Sequence, residues 1–164
     1  MSKRVLAVIG FSLLLAGCRQ SSPDPAISIA EVWSRPVMVA HESRANLGSD
    51  SAMAAGSHSG MNGVVYLTLK NEGGSADRLL RAQTEVCTVT EIHRTIMKGD
   101  RMSMQHVTGG IEIPAHGSVQ LKPKDYHIML MGLKRSLAVD DSFAVQLEFE
   151  KSGLKSVFSK VREP

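Results

Sequence analysis

Residues 125–134, DYHIMLMGLK, decide how this chain is read. In an extended strand alternate side chains share a face, so His127, Met129 and Met131 point one way while Tyr126, Ile128 and Leu130 point the other. The second face is ordinary core material. The first is rich in thioether and imidazole, and on this stretch alone it suits either a core strand using Met as a gap-filler or a surface that holds something soft.

Working outward, short β-type runs recur on both sides: ISIAEVW (27–33), VVYLTLK (64–70), RLLRAQ (78–83), TVTEIHRT (88–95), RMSMQHV (101–107), SVQLK (118–122), FAVQLEFE (143–150) and LKSVFSKV (154–161). Turn signals separate them at 71–74, 98–100, 109–110, 116–117, 139–142 and 151–153. No long helical period competes, and there is no internal repeat. Several short strands at this spacing predict a single all-β domain, a sandwich or barrel large enough to bury its own core. One stretch departs from the pattern. Residues 37–62, VMVAHESRANLGSDSAMAAGSHSGMN, are small-residue-rich, lack strand alternation and are long for a connection between strands. They carry Met53, His58 and Met61; a mobile insert with incidental Met and His is the plainer reading, and a weaker metal-collecting segment, with these three as auxiliary candidates, is the functional alternative.

The amino-terminal run MSKRVLAVIGFSLLLAGC has a basic start, an apolar stretch too short to span a bilayer as a stable helix, and a cysteine. Its end, Leu15-Ala16-Gly17-Cys18, resembles a bacterial lipobox, which implies a signal peptide over 1–17, lipidation of Cys18 and a tether over 18–26 ahead of the domain at 27–164. The resemblance implies a lipid-anchored protein on the periplasmic face of a bacterial membrane. Arg19 follows the cysteine where an Asp resembles an inner-membrane retention signal, and this favours the outer membrane.

The chain carries 19 basic and 16 acidic residues. Removal of 1–17 takes away Lys3 and Arg4 and no acids, leaving a mature balance of +1. No basic run or aromatic-basic interleaving survives, so nucleic acid is not an expected partner. With Cys18 lipidated, Cys87 is the remaining thiol and has no partner for an internal disulfide. There is no nucleophile elbow, paired-acid arrangement, HExxH or phosphate loop, and the reading is not an enzyme.

The chemistry lies in a coincidence of residue types. Met97, Met102, Met104, Met129 and Met131 fall between residues 97 and 131, and His93, His106, His116 and His127 occupy nearly the same window. Carboxylates are scarce there and only one thiol is near, which serves hard cations and structural zinc poorly. Thioether and neutral imidazole together suit Cu(I).

The run EIHRTIMKGDRMSMQHV…IEIPAHGSVQLKPKDYHIMLMGL then resembles the periplasmic copper A chaperone family, PCuAC, whose motif is His, ten residues, Met, about twenty-one residues, His-x-Met. Ten residues separate His93 from Met104, and His127-Ile128-Met129 supplies the final pair. The resemblance extends through VVYLTLKNEGGSADRLL and SFAVQLEFEKSG. It implies a cupredoxin-like β-sandwich in one domain and a Cu(I) site of His93, Met104, His127 and Met129. It also implies a metallochaperone passing copper to an accepting protein, either a cytochrome oxidase subunit with its CuA centre or another carrier. The gap from Met104 to His127 is 22 residues, and the surplus is expected in Thr108-Gly109-Gly110, where a turn absorbs it without a register slip. Met102 and Met131 are expected beside the ligands, with His106 a substitute and Glu91 an orienting acceptor for His93. A blue-copper electron carrier needs a Cys close before its last His, which this chain lacks. Copper storage or tolerance, or a metal-free adhesion module, are the other readings.

Overall fold

The computed structural model describes residues 24–38 and 61–164, and within them ten strands and no helix. The proposed signal peptide, Cys18, and the Met53 and His58 of the insert lie outside the described residues. No helix of the described residues is long and apolar enough to cross a membrane.

The strands are β1 (Ile27–Ser34), β2 (Gly63–Asn71), β3 (Asp77–Gln83), β4 (Cys87–Lys98), β5 (Arg101–His106), β6 (Ile111–Ile113), β7 (Ser118–Leu121), β8 (Tyr126–Leu133), β9 (Ser142–Phe149) and β10 (Gly153–Val161). Nine coincide with the runs expected from alternation. The tenth, β6, is three residues long and too short for alternation to announce it, yet both its isoleucines are buried. The hydrogen-bonded order is β5-β4-β8-β2-β1-β10-β9-β3-β6, with β7 also paired to β2. All pairs are antiparallel except β1 with β10.

This ribbon folds over so that its two halves face each other. Thr90 Oγ1 of β4 donates to the Ala82 carbonyl of β3, and the Lys134 amide donates to the Val86 carbonyl at 2.9 Å. Between the halves lies one core, with Val65, Leu67, Leu69, Leu79, Ile92, Ile113, Leu121, Ile128, Leu130, Val145, Leu147 and Val161 among its members. Each such side chain contributes about 1.5–3 kcal/mol by leaving water. This is the all-β sandwich expected, in a single domain.

The polar groups caught inside are satisfied in two places that matter for the frame. Asn71 accepts from the Ala26 and Gly73 amides and donates to the Ser75 carbonyl at 2.8 Å, tying the start of β1 to the turn after β2. Gly73 must be glycine there, because a Cβ would stand 2.2 Å from the Asp24 carbonyl oxygen. Asp77, 2% exposed, accepts from the amides of Arg78, Lys151 and Ser152 at 2.7–3.0 Å and so pins the β9–β10 turn to β3.

Candidate metal centre

Register, more than proximity in sequence, assembles the site. β4 lies between β5 and β8, and His93 is paired with His106 on one side and His127 on the other. Directly paired residues share a face of the sheet, so three imidazoles form a row across three strands. The ring centroids of His93 stand 5.6 Å from His106 and 6.0 Å from His127. Met104 pairs with Thr95, two residues toward the β4–β5 turn from that row. Met129 pairs with Glu91, two residues the other way. The four expected ligands therefore lie on one face, with the thioethers flanking the histidines. Thr108 and Gly109 form a turn between β5 and β6, so residues there leave the strand register intact.

Three of the four, Met104, His127 and Met129, line one cavity of about 580 Å³, together with Met102, Thr95, Val64, Tyr66 and the Pro123-Lys124 turn. His93, paired beside His127 on the neighbouring strand, does not line it. Met131 pairs with Val89 and is also off the cavity, so Met102 and Met131 are not equivalent neighbours. The larger cavity, about 780 Å³, lies around Gln83, Lys134 and Phe158, away from every expected ligand.

The hydrogen bonds leave specific lone pairs free. A backbone carbonyl can only accept, so the 2.9 Å contact from His127 Nδ1 to the Asp125 oxygen puts the proton on Nδ1 and leaves Nε2 as the donor to a metal. His93 Nε2 is 2.7 Å from Glu91 Oε2 and donates to it, the orienting contact expected from their shared face. Its Nδ1 is buried with no hydrogen-bond partner. A buried acceptor without a partner is costly, and a bound metal ion would relieve it. The hydrogen bond from His93 holds the Glu91 carboxyl below its ordinary range; burial opposes this, and the charge of His106, 4.0 Å away, adds to it.

The donor set is neutral. Among the described residues no group of three His, Cys, Asp or Glu side chains is placed to hold a metal ion. Two imidazoles with two flexible thioethers are a set for a soft monovalent ion. Cys87 takes no part: it pairs with Leu133 at the far end of β4, is 3% exposed, and burial pushes its thiol above the ordinary range. His116 is exposed in its turn.

Comparison with solved structures gives the same architecture. The apo PCuAC domain from PmoF1 superposes with a TM-score of 0.59 at 17% identity, over 84% of this chain and 94% of that one. The copper-bound PCuAC domain from PmoF2 gives 0.58 at 18%, over 84% and 93%. The solution structure of CuI-DR1885 from Deinococcus radiodurans gives 0.50 at 24%, over 82% and 78%. At these identities the likeness is one of fold. In sequence, the chain is 32% identical over 110 residues to "Putative lipoprotein Lxx21020" of Leifsonia xyli subsp. xyli, a match covering 67% of this chain and 64% of that relative. The match thus spans somewhat under two thirds of the relative's length. The model of the family described as "Putative lipoprotein LpqE-like" matches residues 27–161, the whole of the sandwich from β1 to the end of β10. The chain belongs to the LpqE-like lipoprotein family.

Proposed function

We propose that this protein is an extracytoplasmic Cu(I) chaperone, anchored to a membrane through lipid on Cys18, that binds the ion with His93, Met104, His127 and Met129. The observation that carries the reading is the pair of histidine lone pairs on one face: Nε2 of His127, freed by the Asp125 carbonyl, and the unpartnered Nδ1 of His93, each beside a methionine two residues along the sheet. The copper-bound PCuAC domain from PmoF2 and CuI-DR1885, which share the fold, support it. Neutral ligands leave the bound ion its single charge, which suits handover by ligand exchange without any change of oxidation state. An accepting protein with thiolates or additional histidines completes the transfer. The CuA centre of cytochrome oxidase is the recipient this reading favours.

The test is replacement of Met104 and Met129 by Leu, which keeps approximate volume and removes both sulfurs. Chelator competition under reducing conditions is expected to show Cu(I) affinity falling at least a hundredfold while the thermal transition of the apo protein stays in place. Unchanged affinity in that double variant would return the alternation of β8 to simple packing.

A further inference from the structure

Exposed methionine is unusual, because a thioether side chain gains free energy by leaving water. The β4–β5 hairpin nevertheless exposes three on one face: Met97 at 64%, Met102 at 63% and Met104 at 60%. Of the other large apolar side chains exposed among the described residues, Val89 lies at the far end of β4 and the rest are on other elements and turns. Met97 and Met102 are directly paired across β4 and β5, and Met104 follows Met102 on the same face. Opposed residues have Cβ atoms about 4.5–5.5 Å apart and diagonal ones about 7–8 Å, within the reach of side chains with three rotatable bonds. Met102 also lines the cavity beside Met104, His127 and Met129, whereas Met97 stands outside it. The methionines therefore run without a break from the hairpin tip into the candidate site.

We propose that Met97 and Met102, with Met104 shared, form an outer soft-metal station through which Cu(I) enters and leaves the inner site. The inference rests on the Cu(I) reading above and adds a second, weaker position to it. The donors of the paired methionines are neutral sulfurs, and the one carboxylate of the tip, Asp100, lies in the turn between Lys98 and Arg101, so the station favours monovalent soft ions over zinc or magnesium. Passage inward is stepwise exchange: Met104 stays bound while the ion loses the Met97 and Met102 sulfurs and gains Met129 and the two imidazoles, and its charge is +1 throughout. Lys98 and Arg101, paired just beyond the methionines, place positive charge around the tip. An accepting protein with an acidic rim around its own copper ligands would fit that end.

The full chain labelled with [methyl-13C]methionine provides the test, titrated with Ag(I) as a redox-inert stand-in and then with Cu(I) under reducing conditions. The first equivalent is expected to move the Met104 and Met129 methyl resonances, and the second those of Met97 and Met102. Replacing Met97 and Met102 by Leu should abolish the second step, keep the affinity for the first ion within twofold, and slow release of Cu(I) to a chromophoric chelator at least tenfold. A second equivalent that leaves Met97 and Met102 unmoved, or that still binds in the double variant, overturns the station. So does a tenfold loss of first-ion affinity in that variant, which would make these residues ligands of the inner site. Failure of the underlying Cu(I) reading looks different: the first equivalent would leave Met104 and Met129 unshifted.

Discussion

Strands β8 and β9 are each eight residues long, and both send alternate apolar side chains into the same core. β9 buries Phe143, Val145, Leu147 and Phe149 and turns Ser142, Ala144 and Gln146 to solvent, with Glu148 held by Arg81. β8 buries Ile128 and Leu130 in the same way, but its other face carries His127, Met129 and Met131, each buried or half-buried. The difference lies in the side chains that each outward face carries. Beside β8 stand β4 and β2 and the turn 122–125, which wall the cavity lined by His127 and Met129; the outward face of β9 borders the larger cavity beside Gln83, Lys134 and Phe158, but brings to it Ser142, Ala144 and Gln146, none of them a soft donor. The core-facing half of each strand fixes the fold, and what the other half can do is set by the donors it carries, since both outward faces border a cavity.

If that division holds, core truncation should cost the two strands alike. Leu130→Ala and Leu147→Ala, both at fully buried positions, are expected to destabilise the apo protein by about 2–5 kcal/mol each in urea denaturation. A much smaller loss at Leu130 would mean that the site-bearing strand is already loosely packed. Next comes the anchoring of β9 through Asp77. Burial raises the Asp77 carboxyl, but hydrogen bonds from Ser152, Lys151 and Arg78 outweigh it and hold its pKa below the ordinary value. A depressed carboxylate stabilises the fold above the unfolded value, near 3.9, and loses that contribution as pH falls through the folded one. Asp77→Asn should therefore cost about 1–3 kcal/mol at neutral pH, with the gap to wild type closing below about pH 4. Copper affinity should be untouched by that change. The smallest effects belong to the surroundings of β8. Glu91→Ala, which frees the His93 ring, should lower Cu(I) affinity about tenfold with little change in stability. Met131→Leu should change the affinity less than twofold, since Met131 faces Val89 off the cavity.

Much of this was legible in the residues themselves. Alternation located nine strands and turn chemistry separated them, because both are local properties with a period of two. The shared side of His127 and Met129, and of Met102 and Met104, also follows from that period, as does the contact of Glu91 with His93. What alternation cannot supply is partnership between distant strands. That β4 is sandwiched between β5 and β8, aligning His106, His93 and His127, depends on pairings between strands distant in sequence, set by core packing rather than by any local pattern. The same non-local register separates Met102 from Met131, which look interchangeable as spare sulfurs in sequence. The proton position on His127 depends on the carbonyl of Asp125 in a turn, and no side-chain identity announces it. β6 escaped because three residues hold only one and a half periods.

The cavity beside β8 is also bordered by two permanent cations, Arg35 and Lys124, the latter held in a left-handed conformation with φ of 67°. Repulsion between a rim charge and an approaching ion scales with the ion's valence, so a divalent cation meets twice the opposition a monovalent one does, at a few tenths of a kcal/mol per unit charge near a surface. On the proposed reading, the rim selects by valence before donor softness acts. Added salt shrinks its contribution, and dilute media are where it discriminates most strongly.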